Sequence, residues 1–234
     1  MTSAASSALP RAILSRGALR AAVAAAVTAG GSCADLRRDA WGHGASDVAA
    51  ALVDHGVRRA LVDDEDVALT LRARGLDAVT TGAADIDPFL LYGLPDAHGR
   101  LTTDPVMRLT GRIMSTKPLR AGEAVSYGYT FRAAADTAVA LVTGGYAQGI
   151  VRALGNHAEV EVAGVRRPIV GRVAMDVCVI DLGDVPAMPG EDVTFFGGRG
   201  AVAGELARWR AATGLGIPEL VTVAGLHARH EWEA

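Results

Sequence analysis

Behind Ser15, apolar residues recur at Leu19, Val23 and Val27, which is one face of a helix following a residue suited to cap it. Residues 11–33 also have the outline of a signal peptide, with arginines before an alanine-rich run. That run is too poor in leucine and too short to span a bilayer, so the capped helix is the better reading. From Ala34 to about Gly82 short apolar runs alternate with helix-period stretches, the pattern of βα units feeding a parallel sheet. Leu36 begins the first strand, and Gly42-His43-Gly44 makes a turn. Ser46 then caps a helix that runs to His55 and is stopped by Gly56. Residues 59–62 form the next strand, 64–74 a helix closed by Gly75, and 77–80 a third strand. The stretch 85–108 holds three prolines and two glycines around one apolar run, which predicts a last strand and then a connector.

After Met107 the pattern becomes all-β. Residues 138–142 are apolar, 159–162 alternate with period two, and Ala163-Gly164 suits a tight hairpin into 165–173. Residues 177–182 and 193–196 supply further strands, and 202–213 reads as an amphipathic helix lying over them. The expected organisation is an α/β segment over 1–104 and a β-domain over 105–234. The tail with His227 and His230 reads as solvated, with no second ligand pair to support a metal, and His43 reads as a solvated turn histidine.

Composition narrows the classes. Hydrophobic residues make up 50% and charged residues 21%, with a formal charge of -3, so neither disorder nor a nucleic-acid footprint is indicated. No membrane span is legible. Two cysteines, Cys33 and Cys178, fit neither a disulfide framework nor a metal site, and a reducing, cytoplasmic setting follows as the expectation. Of the 23 strong cations, 22 are arginine, and the only lysine is Lys117.

Four stretches carry a resemblance. RLTGRIMSTKPLRAGEAVSYGYTFRA at 108–133, LVTGGYAQGIVRAL at 141–154, RRPIVGRVAMDVCVIDLGDVP at 166–186 and PGEDVTFFGG at 189–198 keep the order and approximate spacing of the alanine racemase C-terminal domain. The resemblance covers roughly 85–226. It extends more faintly over 15–80, where DLRRDAWGHGASDVAAALVDHG is similar to the family's first barrel strand and its A-Y-G-H-G turn. It implies a remnant of a (β/α)8 barrel followed by a small β-barrel-like domain.

It also implies chemistry. Alanine racemases hold pyridoxal phosphate (PLP) on a lysine at the end of the first barrel strand, with a tyrosine from the partner subunit facing it. Racemisation needs an acid–base group on each face of Cα, while the cofactor serves as electron sink. Tyr127 occupies the position of the tyrosine base. A phenol of ordinary pKa near ~10 works as a base only when its surroundings favour the phenolate. Tyr146 matches a tyrosine near substrate and cofactor, and Met175 the methionine whose backbone N–H contacts the substrate carboxylate.

The cofactor side departs from the family. Arg37 stands at the lysine position, and a guanidinium, protonated up to a pKa above ~12, does not form an imine. Trp41 replaces the turn tyrosine, Ile86 the arginine at the pyridine nitrogen, and Pro218 a phosphate-binding tyrosine. Lys117, beside Pro118 between two β-domain strands and exposed by pattern, offers no desolvated nucleophile. A (β/α)8 barrel takes about 250 residues, whereas residues 34–105 hold three or four strands. Such a fragment exposes apolar edges, so it either closes on its own β-domain or meets a partner.

These observations predict a degenerate family member without covalent PLP, acting as an interaction or regulatory protein. One alternative is complementation, in which Tyr127, Tyr146 and Met175 complete the site of a full-length racemase that interconverts L- and D-alanine. Another is a stand-alone racemase. A homodimer, or a heterodimer with such a full-length enzyme, is the expected assembly.

Overall fold

The computed structural model describes residues 9–234. Ser15 ends β1 (Arg11–Ser15) and begins α1 (Arg16–Thr28), its hydroxyl accepting from the Ala18 N–H at 3.2 Å. Leu19 and Val23 face the core as the stripe requires, whereas Val27, in the last turn, is exposed. The chain continues through β2 (Cys33–Asp35), a left-handed turn labelled α2 (Arg37–Gly42), α3 (Ala45–Asp54), β3 (Arg59–Leu61), α4 (Glu65–Arg72) and β4 (Asp77–Val79). The strands pair in parallel in the order β2-β3-β4, as the alternating pattern predicts.

Three local expectations need correction. The first strand ends at Asp35 and Leu36 opens the turn, because Arg38, Asp39, Ala40 and Trp41 all sit near φ 55° and leave the strand direction. Ser46 is not the cap of α3. Gly44 holds that position, and the Ala45 N–H is taken by the Asp39 carboxylate at 2.7 Å. No strand forms over 85–106. Asp87 caps a short helix, α5 (Pro88–Tyr92), with Pro88 at its start, where a missing N–H costs nothing.

The β half closes on itself. After α5 come β5 (Met107–Leu119), β6 (Ala124–Val125), β7 (Phe131–Arg132), β8 (Thr137–Thr143), β9 (Glu159–Val162), β10 (Val165–Val170), β11 (Val177–Gly183) and β12 (Asp192–Gly197). Six of these pair antiparallel in the ring β5-β8-β11-β10-β9-β12, and β12 returns to β5. Bulges at Ile113/Ser115 and Thr194/Phe196 supply the bending that closure needs. Period-two alternation points Val142, Ile180, Val160, Val193 and Phe195 inward, all fully buried. Ala163 and Gly164 adopt φ 49° and 80°, the left-handed pair of a tight hairpin turn.

Two helices and a strand finish the chain: α6 (Leu206–Thr213), α7 (Ile217–Leu226) and β13 (Arg229–Glu233). The predicted helix over 202–213 starts later, because residues 202–205 are turns and Glu205 is drawn away as a buried acceptor for the Glu159 N–H and the Arg166 guanidinium. The expected solvated tail is instead β13, which pairs in parallel with β1, while β1 pairs antiparallel with β5. His230 there contacts the Gly225 carbonyl at 3.0 Å. No helix among the described residues is long and apolar enough to cross a membrane.

Candidate functional site

Three turns meet at one end of the barrel. The first joins β6 to β7 as a flap, with Ser126 at φ 65°, Gly128 at 74° and Tyr129 at 47°. Ser126 Oγ donates to the Arg172 carbonyl at 2.5 Å, and a Cβ on Gly128 would lie 3.4 Å from the Arg172 guanidinium carbon, so the flap is pinned to the second turn, 171–176. The third turn carries Tyr146. Its N–H donates to Ala174 O at 2.9 Å, and the Ala147 N–H to Met175 O at 3.0 Å. Buried Gln148 ties the pair together, accepting from the Gly145 N–H at 3.0 Å and donating to the Asp176 carboxylate at 2.8 Å.

These bonds hold the backbones and leave the side chains outside. Tyr127 is 66% exposed, Met175 55% and Tyr146 41%, the last beneath the Arg152 guanidinium at 5.6 Å from its ring centre. Tyr127 and Tyr129 also roof a groove of about 510 Å³ whose floor includes Lys117. Lys117 lies inside β5 rather than between strands, and is exposed as its pattern implies.

A second constellation surrounds the end of β2. Asp35 and Arg37 form a two-pronged ion pair, Nε to Oδ1 at 2.9 Å and Nη2 to Oδ2 at 2.7 Å, and the Arg37 N–H adds a third bond to Oδ1 at 3.1 Å. Burial works to raise the Asp35 pKa, but the hydrogen bonds and charge of Arg37 bring it below the usual carboxylate value. Tyr92, buried, donates to the Asp35 carbonyl at 2.7 Å and carries Trp41 and His43 against its ring. His43 is therefore no solvated turn residue. It is fully buried, stacked at 4.5 Å on Tyr92, with Nδ1 between the Ala40 and Trp41 carbonyls and Nε2 without a partner. Burial lowers its pKa to about 4, against the pull of those two carbonyls.

Ile86 and Pro218 stand apart from this cluster. Ile86 is buried against Gly31, where a Cβ would meet its side chain at 2.6 Å, and Pro218 starts α7. α7 packs between the two constellations: Gly225 rests on Gly42, and Ala224 on Gly149, which follows the Tyr146 turn. No group of three or more potential metal ligands exists among the described residues.

Sequence reasoning missed Asp35, Gln148, Arg172 and the Tyr92–His43 stack. Asp35 had a weak signal, an acidic residue two positions before Arg37 at the end of a strand, close enough in the chain for an ion pair. Gln148 had one as well, three residues after Gly145 in a turn. The other contacts join residues far apart in the chain.

Residues 106–231 match the family model described as alanine racemase, C-terminal domain. The chain belongs to the alanine racemase family. The chain is 45% identical over 138 residues to the alanine racemase of Corynebacterium efficiens, and 40% identical over 141 residues to that of Mycolicibacterium vanbaalenii. Those matches take in 56% and 58% of this chain but 35% and 34% of the relatives, so the matched part spans about a third of their length. In fold the chain is similar to the alanine racemase of D-cycloserine producing Streptomyces lavendulae, with TM-score 0.81 and 21% identity over 97% of each chain. It is also similar to that of Bartonella henselae with covalently bound pyridoxal phosphate, with TM-score 0.77 and 18% identity over 96% of this chain and 99% of the other. Alanine racemase architecture thus extends beyond the stretch where the sequence is alike, with the N-terminal part truncated.

Proposed function

We propose that this chain is a degenerate alanine racemase that neither holds PLP covalently nor interconverts L- and D-alanine on its own. The observation that carries the reading is the Asp35–Arg37 pair at the end of β2. The residues there do not fit an imine-linked cofactor. A guanidinium is no nucleophile, this one is committed to a carboxylate at 2.7–2.9 Å, and Asp35 adds a negative charge where a phosphorylated group would need donors. The chain's single lysine sits in β5 on the outside of the barrel.

Purified protein given PLP should show no visible aldimine band and no pyridoxyl adduct after borohydride reduction. Arg37→Lys should not restore turnover, because Trp41, Ile86 and Pro218 still lack the donor groups that the resemblance assigns to those positions. Measurable racemisation by the isolated chain, or robust turnover from Arg37→Lys alone, overturns the proposal.

The exposure of Tyr127, Tyr146 and Met175 favours one further role. The turns that carry them are fixed by hydrogen bonds while their side chains stand largely exposed, as expected of groups that complete a site on another subunit. In this reading the partner is a full-length alanine racemase in the cytoplasm, and a dimer forms across the Tyr127 end. Co-expression, pull-down and a racemisation assay test it. A Tyr127→Phe chain should still associate but fail to support turnover at a site lacking its own tyrosine.

A further inference from the structure

The groove beneath the Tyr127 flap has a second use, independent of the composite-site reading. Its floor is the outer wall of the barrel, with Ser115 and Lys117 on β5, Leu141 on β8 and Val179 on β11; Tyr127 and Tyr129 form its roof. The volume of about 510 Å³ lies within the ~300–1,000 Å³ range of small-molecule sites. No carboxylate lines it, and Lys117 has no ion-pair partner among the described residues. An apolar wall beside an unneutralised ammonium is incomplete, because the wall gains from an apolar body while the cation gains from an anion.

We propose that this groove binds a small monocarboxylate with an aliphatic or aromatic body, its carboxylate on Lys117 and its body against Leu141 and Val179. One cation among the lining residues argues for a single negative charge rather than a phosphate dianion, which needs several donors. The Ser115, Tyr127 and Tyr129 hydroxyls can donate to the second carboxylate oxygen. Free alanine does not suit the groove, since its ammonium would enter beside Lys117 and its methyl would leave the wall uncovered.

The sole lysine makes the test selective. Full-length chain is titrated calorimetrically with 3-phenylpropionate, its neutral amide and L-alanine, and acetylation of Lys117 by an activated ester is followed by peptide mass spectrometry. The acid should bind saturably at one site and slow acetylation of Lys117 about threefold or more, whereas the amide and alanine should not protect it. Lys117→Met should weaken acid binding about tenfold while Lys117→Arg retains most of it, as a charge-assisted contact requires. Val179→Asp, which places a like charge in the wall, should abolish it. Equal binding of acid and amide, unchanged affinity in Lys117→Met, or no saturable binding at millimolar acid overturns the proposal.

Discussion

The barrel and the three-stranded sheet solve the same problem in opposite ways. In the barrel every strand has a neighbour on each side, because β12 returns to β5 and the ring has no edge. The parallel sheet has only β2, β3 and β4 and must finish itself with side chains. On its helix side Ala34, Ala60 and Ala78 are in register and fully buried. In a closed (β/α)8 barrel the opposite face is a packed core. Here that face and its carboxyl end carry the ion pairs Arg59–Asp77, Asp35–Arg37 and Arg38–Asp63. The outer edge of β2 is occupied by residues 85 and 86, whose N–H groups both donate to Cys33 O at 3.0 Å. Charge and local hydrogen bonds thus cover much of the sheet's open border, and the turn after β2 packs on α7, so this segment closes on the rest of its own chain, one of the two expected outcomes. A short open sheet keeps its edges from pairing with other chains when charge and local hydrogen bonds occupy them.

The comparison can be broken most severely in the barrel. Phe195→Ala removes a fully buried ring from the closed core and should cost about 3–5 kcal/mol, unfolding both halves together because β1 and β13 attach the rest of the chain to β5. Leu61→Ala, in the sheet, should open hydrogen exchange around β3 while the barrel amides stay protected. Urea titration with hydrogen-exchange mass spectrometry reads both. Loss of barrel protection in Leu61→Ala would show that the sheet, not the barrel, is the foundation.

The two halves also differed in how much could be read from sequence. In the barrel the alternation at 159–162, the hairpin Ala163-Gly164 and the apolar run at 138–142 were legible because each is a local signal that the fold obeys. β1 and β13 were not, since each is a strand only by pairing with segments distant in the chain. In the α/β half the strands at 59–62 and 77–80 were legible, but the turn after β2 was not. Four consecutive non-glycine residues near φ 55° cost roughly 1–2 kcal/mol each on local preference, and no local rule predicts them. They persist because Asp39, Asp63 and His43 each hold part of the turn: the Ala45 N–H at 2.7 Å, the Arg38 N–H at 2.5 Å, and the Ala40 and Trp41 carbonyls at 3.0 and 3.1 Å. The Tyr127, Tyr146 and Met175 positions were found by resemblance; their common location came only from the meeting of the three turns.

That turn gives the next largest effect, through pH. His43 titrates at about 4 in the fold against an ordinary value of 6.5, so the unfolded chain takes up its proton first as pH falls. Stability from this group is intact above 6.5 and is lost as pH drops toward 4, by roughly 3 kcal/mol. Chemical denaturation at pH 7.5 and 4.5 should show the loss, and His43→Gln should flatten most of that histidine-dependent slope. An unchanged slope in the variant would assign the acid sensitivity elsewhere.

Arg37→Ala should be milder. It strands the Asp35 carboxylate, whose side chain is only 9% exposed, at a cost of about 1–2 kcal/mol at pH 7 once the half-exposed guanidinium is discounted for solvent screening. With Arg37 present the lowered Asp35 pKa contributes stability above the ordinary carboxylate value, and this is lost as pH falls through the lowered one. Without Arg37, burial dominates and the carboxyl protonates more readily, so the gap between wild type and variant should shrink toward pH 4. A gap independent of pH would mean that Arg37 acts by packing alone.

The smallest effect belongs to the open side of the sheet, where, among the described residues, no strand pairs with the side of β4 away from β3. Ala78 directs both backbone groups away from β3, and both are satisfied locally: its N–H donates to Leu76 O at 2.9 Å, and its carbonyl accepts from Arg72 Nε at 2.9 Å and Nη2 at 2.7 Å. A guanidinium thus stands where the next strand would pair, and an edge so occupied is a poor template for strand addition. Arg72→Ala removes the blocker and also an ion pair to Glu65, yet both partners are well exposed, so the stability loss should be about 1 kcal/mol or less. The larger consequence is a freed carbonyl on an edge strand. Hydrogen exchange at Ala78 and Val79 should quicken, and light scattering should show mass rising with concentration beyond that of wild type. If exchange and mass both match wild type, the edge is closed by the shortness of β4 rather than by Arg72.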